Sequence, residues 1–145
     1  MKKLMLLLGC ICLSLIFVSS AVGKLFSWNE TIQYLTTALS LWTTSTTVPA
    51  FLHSTVAMLA SRVPLLLVIS TILEGVGGLF VLLGFRVRLG AVMLILFILP
   101  VTLIMHPFWM TSGPEKLIQM SMFMKNLSIL GGLLILAAKN GDSEG

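Results

Sequence analysis

Four stretches of the chain, 4–22, 63–85, 89–108 and 117–138, are apolar over a length that crosses a bilayer, which takes ~20 residues of helix. No other feature restricts the fold as much. Hydrocarbon offers no hydrogen bonds, so a spanning segment must satisfy its own backbone, and a single apolar stretch does so as a helix. Four such stretches in 145 residues predict an all-α fold, an integral membrane four-helix bundle. Composition excludes the soluble alternative. Hydrophobic residues make up 57% of the chain and charged ones 10%, and mean hydropathy is +1.07. A soluble domain of this size has too much surface for its volume to hide that many apolar groups.

The first stretch has a second reading. MKK followed by an apolar run has the outline of a signal peptide, with SSA at 19–21 as its cleavage site. Its length suits a retained span better than a signal core. Cys10 and Cys12, two apart in this stretch, point to different sides of a helix. They read as small packing residues rather than as a disulfide or metal site.

The net charge is +4 at pH 7, but the basic residues are scattered, which argues against nucleic acid as a partner. Their distribution predicts orientation instead. Lys2, Lys3, Arg86, Arg88 and Lys139 fall on one side of a four-span chain, and Lys24, Arg62 and Lys116 on the other. By the positive-inside bias both termini are cytoplasmic, and Arg86 and Arg88 form a cytoplasmic turn. The expected location is the cell inner membrane, as a multi-pass protein.

The connection 23–62 is too long to be a mere link. It opens with SWNE, in which Ser27 and Glu30 have the spacing of a capping box. Trp28, Ile32, Leu35, Leu39 and Trp42 then recur at spacings of four and three, an amphipathic helical segment in the first external loop. Such a helix either lies on the outer membrane surface or packs on the spans. TTSTTVP at 43–49 breaks it, and a second short helix is expected after Pro49, with Leu52, Val56 and Leu59 on one side. KNGDSEG at 139–145 reads as a polar tail.

Polar groups inside spans are costly, so they normally face the protein interior and have partners. In the second span Ser70, Glu74, Gly77, Val81, Gly84 and Arg88 follow one helical stripe, with Gly78 beside it. In the fourth, Ser121, Lys125, Ser128 and Gly132 do the same, with Gln119, Asn126 and Gly131 one step around. Small residues in such stripes let helices approach closely. Glu74 is eleven residues into its span and Lys125 eight, a height difference of about 4–5 Å. The expectation is a facing Glu74–Lys125 pair, with Asn126 and Gln119 hydrogen-bonding nearby. The pair is either a lock between helices or part of a binding or proton-handling site.

The third span ends in LPVTLIMHPFWM, where Pro100 should kink the helix. Thr102 and His106 share a face, and Phe108 and Trp109 are interface aromatics. His106 at that end is either structural or a ligand-binding group. Met105, Met110, Met120, Met122 and Met124 gather nearby. Thioethers bind copper(I), but 120, 122 and 124 alternate around a helix and read as packing, so no metal is expected. No nucleophile–base pair, phosphate loop, Cys-x-x-Cys or haem signature is present.

GKLFSW at 23–28, LEGVGGLFVLLGFRVRLGA at 73–91, MHPFW at 105–109 and MKNLSILGGLLIL at 124–136 together resemble the DoxX family of small four-helix membrane proteins, over nearly the whole chain. The resemblance implies one transmembrane domain over 1–145. Its pattern of a glutamate before Gly-Gly falls on Glu74, Gly77 and Gly78, and its LG-x-x-x-R turn on Leu83, Gly84 and Arg88. The histidine followed by aromatics falls on His106, Phe108 and Trp109. Its Lys-Asn before Gly-Gly-Leu falls on Lys125, Asn126, Gly131, Gly132 and Leu133. The Thr-rich segment with Val48-Pro49 departs from the family's shorter turn.

Some members of the family resemble subunits of a membrane thiosulfate:quinone oxidoreductase, and others are linked to membrane redox complexes. The resemblance therefore implies a non-catalytic subunit or anchor of a redox or stress-response complex, with the lipid bilayer and protein partners or further copies around it and no cofactor of its own. The alternative is a quinone-binding oxidoreductase subunit, with Glu74, His106 and Lys125 near the headgroup. A small transporter, acting as an oligomer, is the third reading. The lack of any redox-cofactor motif favours the first, since electrons need a carrier that these side chains do not supply.

Overall fold

The computed structural model describes residues 1–45 and 49–139. The helices are α1 (Lys2–Phe26), α2 (Trp28–Thr44), α3 (Ala50–Ala60), α4 (Val63–Leu82), α5 (Val87–Met105) and α6 (Gly113–Lys139), with a 3-10 turn at Phe108–Met110. The described residues contain no strand. α1, α4, α5 and α6 are long and apolar enough to cross a membrane. The fold is an all-α membrane bundle. Most of the Thr-rich break (46–48) and of the polar tail (140–145) lies outside the described residues.

Helix ends follow local chemistry. α1 continues past residue 22 to Phe26, because nothing in AVGKLF interrupts a helix, and only Ser27 separates it from α2. Ser27 is the N-cap of α2, but its side chain makes no capping bond, so the expected capping box does not form. Thr31 Oγ1 instead donates to the Ser27 carbonyl at 2.8 Å. α4 stops at Leu82 rather than 85 because Gly84 (φ 69) and Arg86 (φ 45) take left-handed backbone conformations, open to glycine at little cost. Gly84 is exposed and nothing would meet a Cβ there. It serves the turn and not helix packing, contrary to its place in the predicted stripe. α5 runs through Pro100 and ends at Met105, two residues before Pro107, since a proline disfavours helix in the residue before it.

α1 packs on α4, α4 on α5, and α5 on α6, while α1 and α6 touch only sparsely. The core includes Cys10, Phe17, Val81, Ala91, Leu94, Phe97, Ile98, Leu133 and Leu136. Cleavage near 19–21 would strip Cys10 and Phe17 from it. Lipid tails are as apolar as leucine, so close packing rather than hydrophobicity holds spans together. Among the glycines of the spans, Gly77 and Gly90 bring two helices closest. A Cβ on Gly90 would stand 2.8 Å from the Gly77 carbonyl oxygen and 2.8 Å from Phe80 Cβ. Gly78 faces α1, where a Cβ would meet Val18 Cγ2 at 3.0 Å.

α2 and α3 cover one end of the bundle. Leu39, Val56 and Val63 form a second buried cluster there, flanked by Ile32, Leu35 and Trp42. Of the two readings of the amphipathic stripe, α2 follows packing on the spans. Trp42 Nε1 donates to the Ile104 carbonyl at 2.9 Å, one of the carbonyls that the end of α5 leaves without an intrahelical partner. Trp42, Phe108, Trp109 and Phe123 stack edge to face and tie α2, the 3-10 turn and α6 together.

Candidate functional site: a polar cleft between the first and last spans

The sparse contact between α1 and α6 leaves a cleft of about 320 Å³. Ile16, Phe17, Ser20 and Lys24 of α1 line one wall, and Lys125, Asn126 and Ile129 of α6 the other. Leu67, Ser70 and Glu74 of α4 and Phe97, Ile98, Val101 and Met105 of α5 form the back. Thr31, Tyr34 and Leu35 of α2 border the end near His106.

Glu74 is 2% exposed and ion-pairs through Oε2 with Lys24 Nζ. The expected Glu74–Lys125 pair does not form. Lys24 is placed by α1's extra turn, which carries it beside α4, and its ammonium also lies 4.7 Å from the centre of the Phe97 ring, a cation–π contact. It occupies the last turn of α1, where the helix dipole favours a cation. A first span ending at residue 22 puts Lys24 in the loop. The signal that finds it is the stripe Cys10, Ser14, Phe17, Ala21 and Lys24, at spacings of four, three, four and three. The first four of these are buried, and Lys24 partly so.

Lys125 is exposed, and its Nζ donates to Met122 Sδ at 3.4 Å. Ser121 and Ser128 are exposed with it, so the predicted stripe of the last span does not pack into the bundle except at Gly132, and Lys125 reaches the cleft from its rim. The face that packs lies one step around the helix, through Gln119, Phe123, Asn126, Ile129, Leu133 and Leu136, all buried or half-buried. Bulky residues set this rotation by filling the groove against α5. Gly131 meets open space, whereas a Cβ on Gly132 would touch Leu13 of α1 at 3.5 Å.

His106 is joined to Gln119. Gln119 Nε2 donates to Glu115 Oε1 at 2.7 Å, and His106 Nδ1 donates to Gln119 Oε1 at 3.0 Å. This relay links the end of α5 to α6 and holds the imidazole at the cleft. Ser70 donates to the Leu67 carbonyl at 3.0 Å, buried Ser14 to Cys10 at 2.6 Å and Thr102 to Ile98 at 2.6 Å. These hydroxyls are therefore satisfied within their own helices. Arg86 and Arg88 are exposed at the opposite end, in the α4–α5 turn and the start of α5.

The structure thus brings Glu74, His106, Lys125 and Asn126 to one cleft, adds Lys24, Thr31 and Tyr34, and connects Gln119 through His106. An arrangement of this kind can hold a small polar headgroup inside a membrane-spanning bundle.

The chain is 29% identical over 136 residues to inner membrane protein YphA of Escherichia coli (strain K12), an alignment covering 94% of this chain and 83% of that protein. No solved structure matches. The DoxX family profile matches residues 5–107. That span includes Lys24, Glu74 and His106 and ends before α6. With four spanning helices and more than half its length within the profile, the chain is a membrane protein of the DoxX family.

Proposed function

We infer that the chain is a non-catalytic, ligand-binding subunit of a membrane-associated redox or stress-response complex. It sits in the inner membrane with both termini cytoplasmic. The observation that carries this reading is the cleft, where an ion pair with a buried carboxylate, an imidazole and an amide share one cavity among the spans. Ionisable groups at such depth are functional candidates by default. The relative's name supports the inner membrane, and Lys2, Lys3, Arg86, Arg88 and Lys139 support the orientation. The sequence has no attachment motif for an electron carrier, so the electron-carrying step belongs to a partner.

The oxidoreductase reading places a quinone headgroup in the same cleft, its carbonyls accepting from Lys125 and Asn126. The test is purification in mild detergent, with quantitative identification of co-purifying proteins and extraction of bound quinone. Redox-enzyme subunits at fixed stoichiometry, with quinone well below it, are expected. A chain that purifies without partners sinks the subunit reading. Stoichiometric quinone that disappears in Glu74→Gln replaces it with the oxidoreductase alternative.

A further inference from the structure

The charges of the cleft do not balance. Lys24 and Glu74 neutralise each other. Lys125 lines the same cavity and, among the described residues, has no carboxylate partner; its Nζ donates to a thioether. Another carboxylate on α6, Glu115, is bound to Gln119 and lies ten residues, or about 15 Å, from Lys125 along the helix. Lys125 is eight residues inside the apolar stretch that begins at 117, a depth of about 12 Å. Its ammonium, turned toward Met122, is left without a counter-charge within the span, which is costly.

A second cavity adjoins the first. It measures about 290 Å³, lies between α4 and α5 under α2 and α3, and is lined almost wholly by aliphatic and aromatic side chains. Leu35, Ser70, Phe97, Val101 and Met105 border both cavities. These five residues thus stand between a cleft with a cation at its α6 rim and a greasy recess on their other side.

We propose that this cleft binds a single-chain anionic amphiphile, its carboxylate or phosphate head on Lys125 and Asn126 and its alkyl chain directed into the apolar recess. The head supplies the counter-charge that Lys125 lacks, through charge-assisted hydrogen bonds. The chain exchanges one apolar surrounding, the lipid tails, for another. The head therefore supplies the specificity, and a neutral analogue of the same length binds more weakly. The proposal rests on the ligand-binding reading above and names its ligand class.

The test uses the full chain in neutral detergent and in phosphatidylcholine nanodiscs, with binding followed by thermal shift and by native mass spectrometry. The probes are laurate, monododecyl phosphate, dodecanol and decyl-ubiquinone. Laurate and dodecyl phosphate are expected to bind about tenfold or more tighter than dodecanol. Lys125→Gln, at an exposed position, should abolish that difference, Lys125→Arg should keep it, and Lys116→Gln should not change it. Competition by lysophosphatidylglycerol added to the nanodisc identifies a single-chain phospholipid as the natural source, and its absence a free acid. Equal binding of dodecanol, or a preference for decyl-ubiquinone that survives Lys125→Gln, overturns the anionic class while leaving a ligand site in place. Binding of none of the four probes overturns both.

Discussion

Lys24, in the last turn of α1, and Glu74, fifty residues later in the middle of α4, form an ion pair that joins the first and second spans. Glu74 is buried, while Lys24 retains 18% exposure. Removing one member strands the other. Lys24→Met is expected to cost about 3–5 kcal/mol, the usual penalty for an uncompensated buried charge. The double variant Lys24→Met/Glu74→Met should recover most of the loss, since apolar replacements of similar volume are often neutral. Thermal unfolding followed by size-exclusion chromatography in detergent measures both. A double variant no more stable than the single one contradicts the pairing.

The Gly77–Gly90 crossing predicts a contrast between glycines in the spans. Gly90→Ala forces a methyl against backbone and a Cβ at 2.8 Å, an overpacking cost of about 1–3 kcal/mol. Gly131 meets nothing within 4 Å, so Gly131→Ala should be neutral or stabilise by roughly 0.5–1 kcal/mol through helix propensity. Melting temperatures of the two variants, measured side by side, should move in opposite directions or differ plainly in size.

Trp42 fixes α2 to the end of α5 through its indole N–H. Trp42→Phe keeps a ring to face Trp109 but leaves the Ile104 carbonyl unpaired, a loss of about 1 kcal/mol. Hydrogen exchange should accelerate roughly fivefold in α2, with α4 and α5 unaffected. Uniform acceleration across all helices would show that the bond supports the whole bundle rather than this one helix.

The turn after α4 depends on backbone conformation more than on contacts. Gly84 has a φ of 69 and open space around it. Gly84→Ala should therefore cost about 1–2 kcal/mol, the penalty for placing a Cβ in the left-handed region. Gly84→Asn should cost less, because asparagine visits that region readily. Urea or sodium dodecyl sulfate titration ranks the three proteins. Equal stabilities contradict the assigned backbone.

Span number, the two helices between the first pair of spans, and the inward course of Ser70, Glu74, Gly77 and Val81 were legible in the sequence, because length and periodicity encode them directly. The rotation of the last span was not. Ser121, Lys125 and Ser128 carry the polarity that marks an inner face, but Ile129, Leu133 and Leu136 carry the volume that fills the groove against α5 and Phe123 the ring that stacks on the 3-10 turn, and volume decides. That Glu74 pairs with Lys24 and not Lys125 is hidden in the sequence for a related reason. Hydropathy marks where an apolar run fades, whereas a helix continues until its backbone is interrupted, and α1 is not interrupted before Ser27. Once α1 reaches Phe26, Lys24 becomes a bundle residue, and its periodic relation to Cys10, Ser14, Phe17 and Ala21 was readable all along.

The separation of Lys24 and Glu74 along the chain also has a bearing on how the protein is made. During synthesis the lysine leaves the ribosome fifty residues ahead of its counter-ion. The first helix must enter the bilayer with that ammonium unneutralised, held near the aqueous boundary by its place in the helix's final turn. α2 and α3 emerge next, and only then α4 with its carboxylate. Docking of α4 brings the carboxylate to Lys24, so the first span gains its counter-charge only after the second has been inserted.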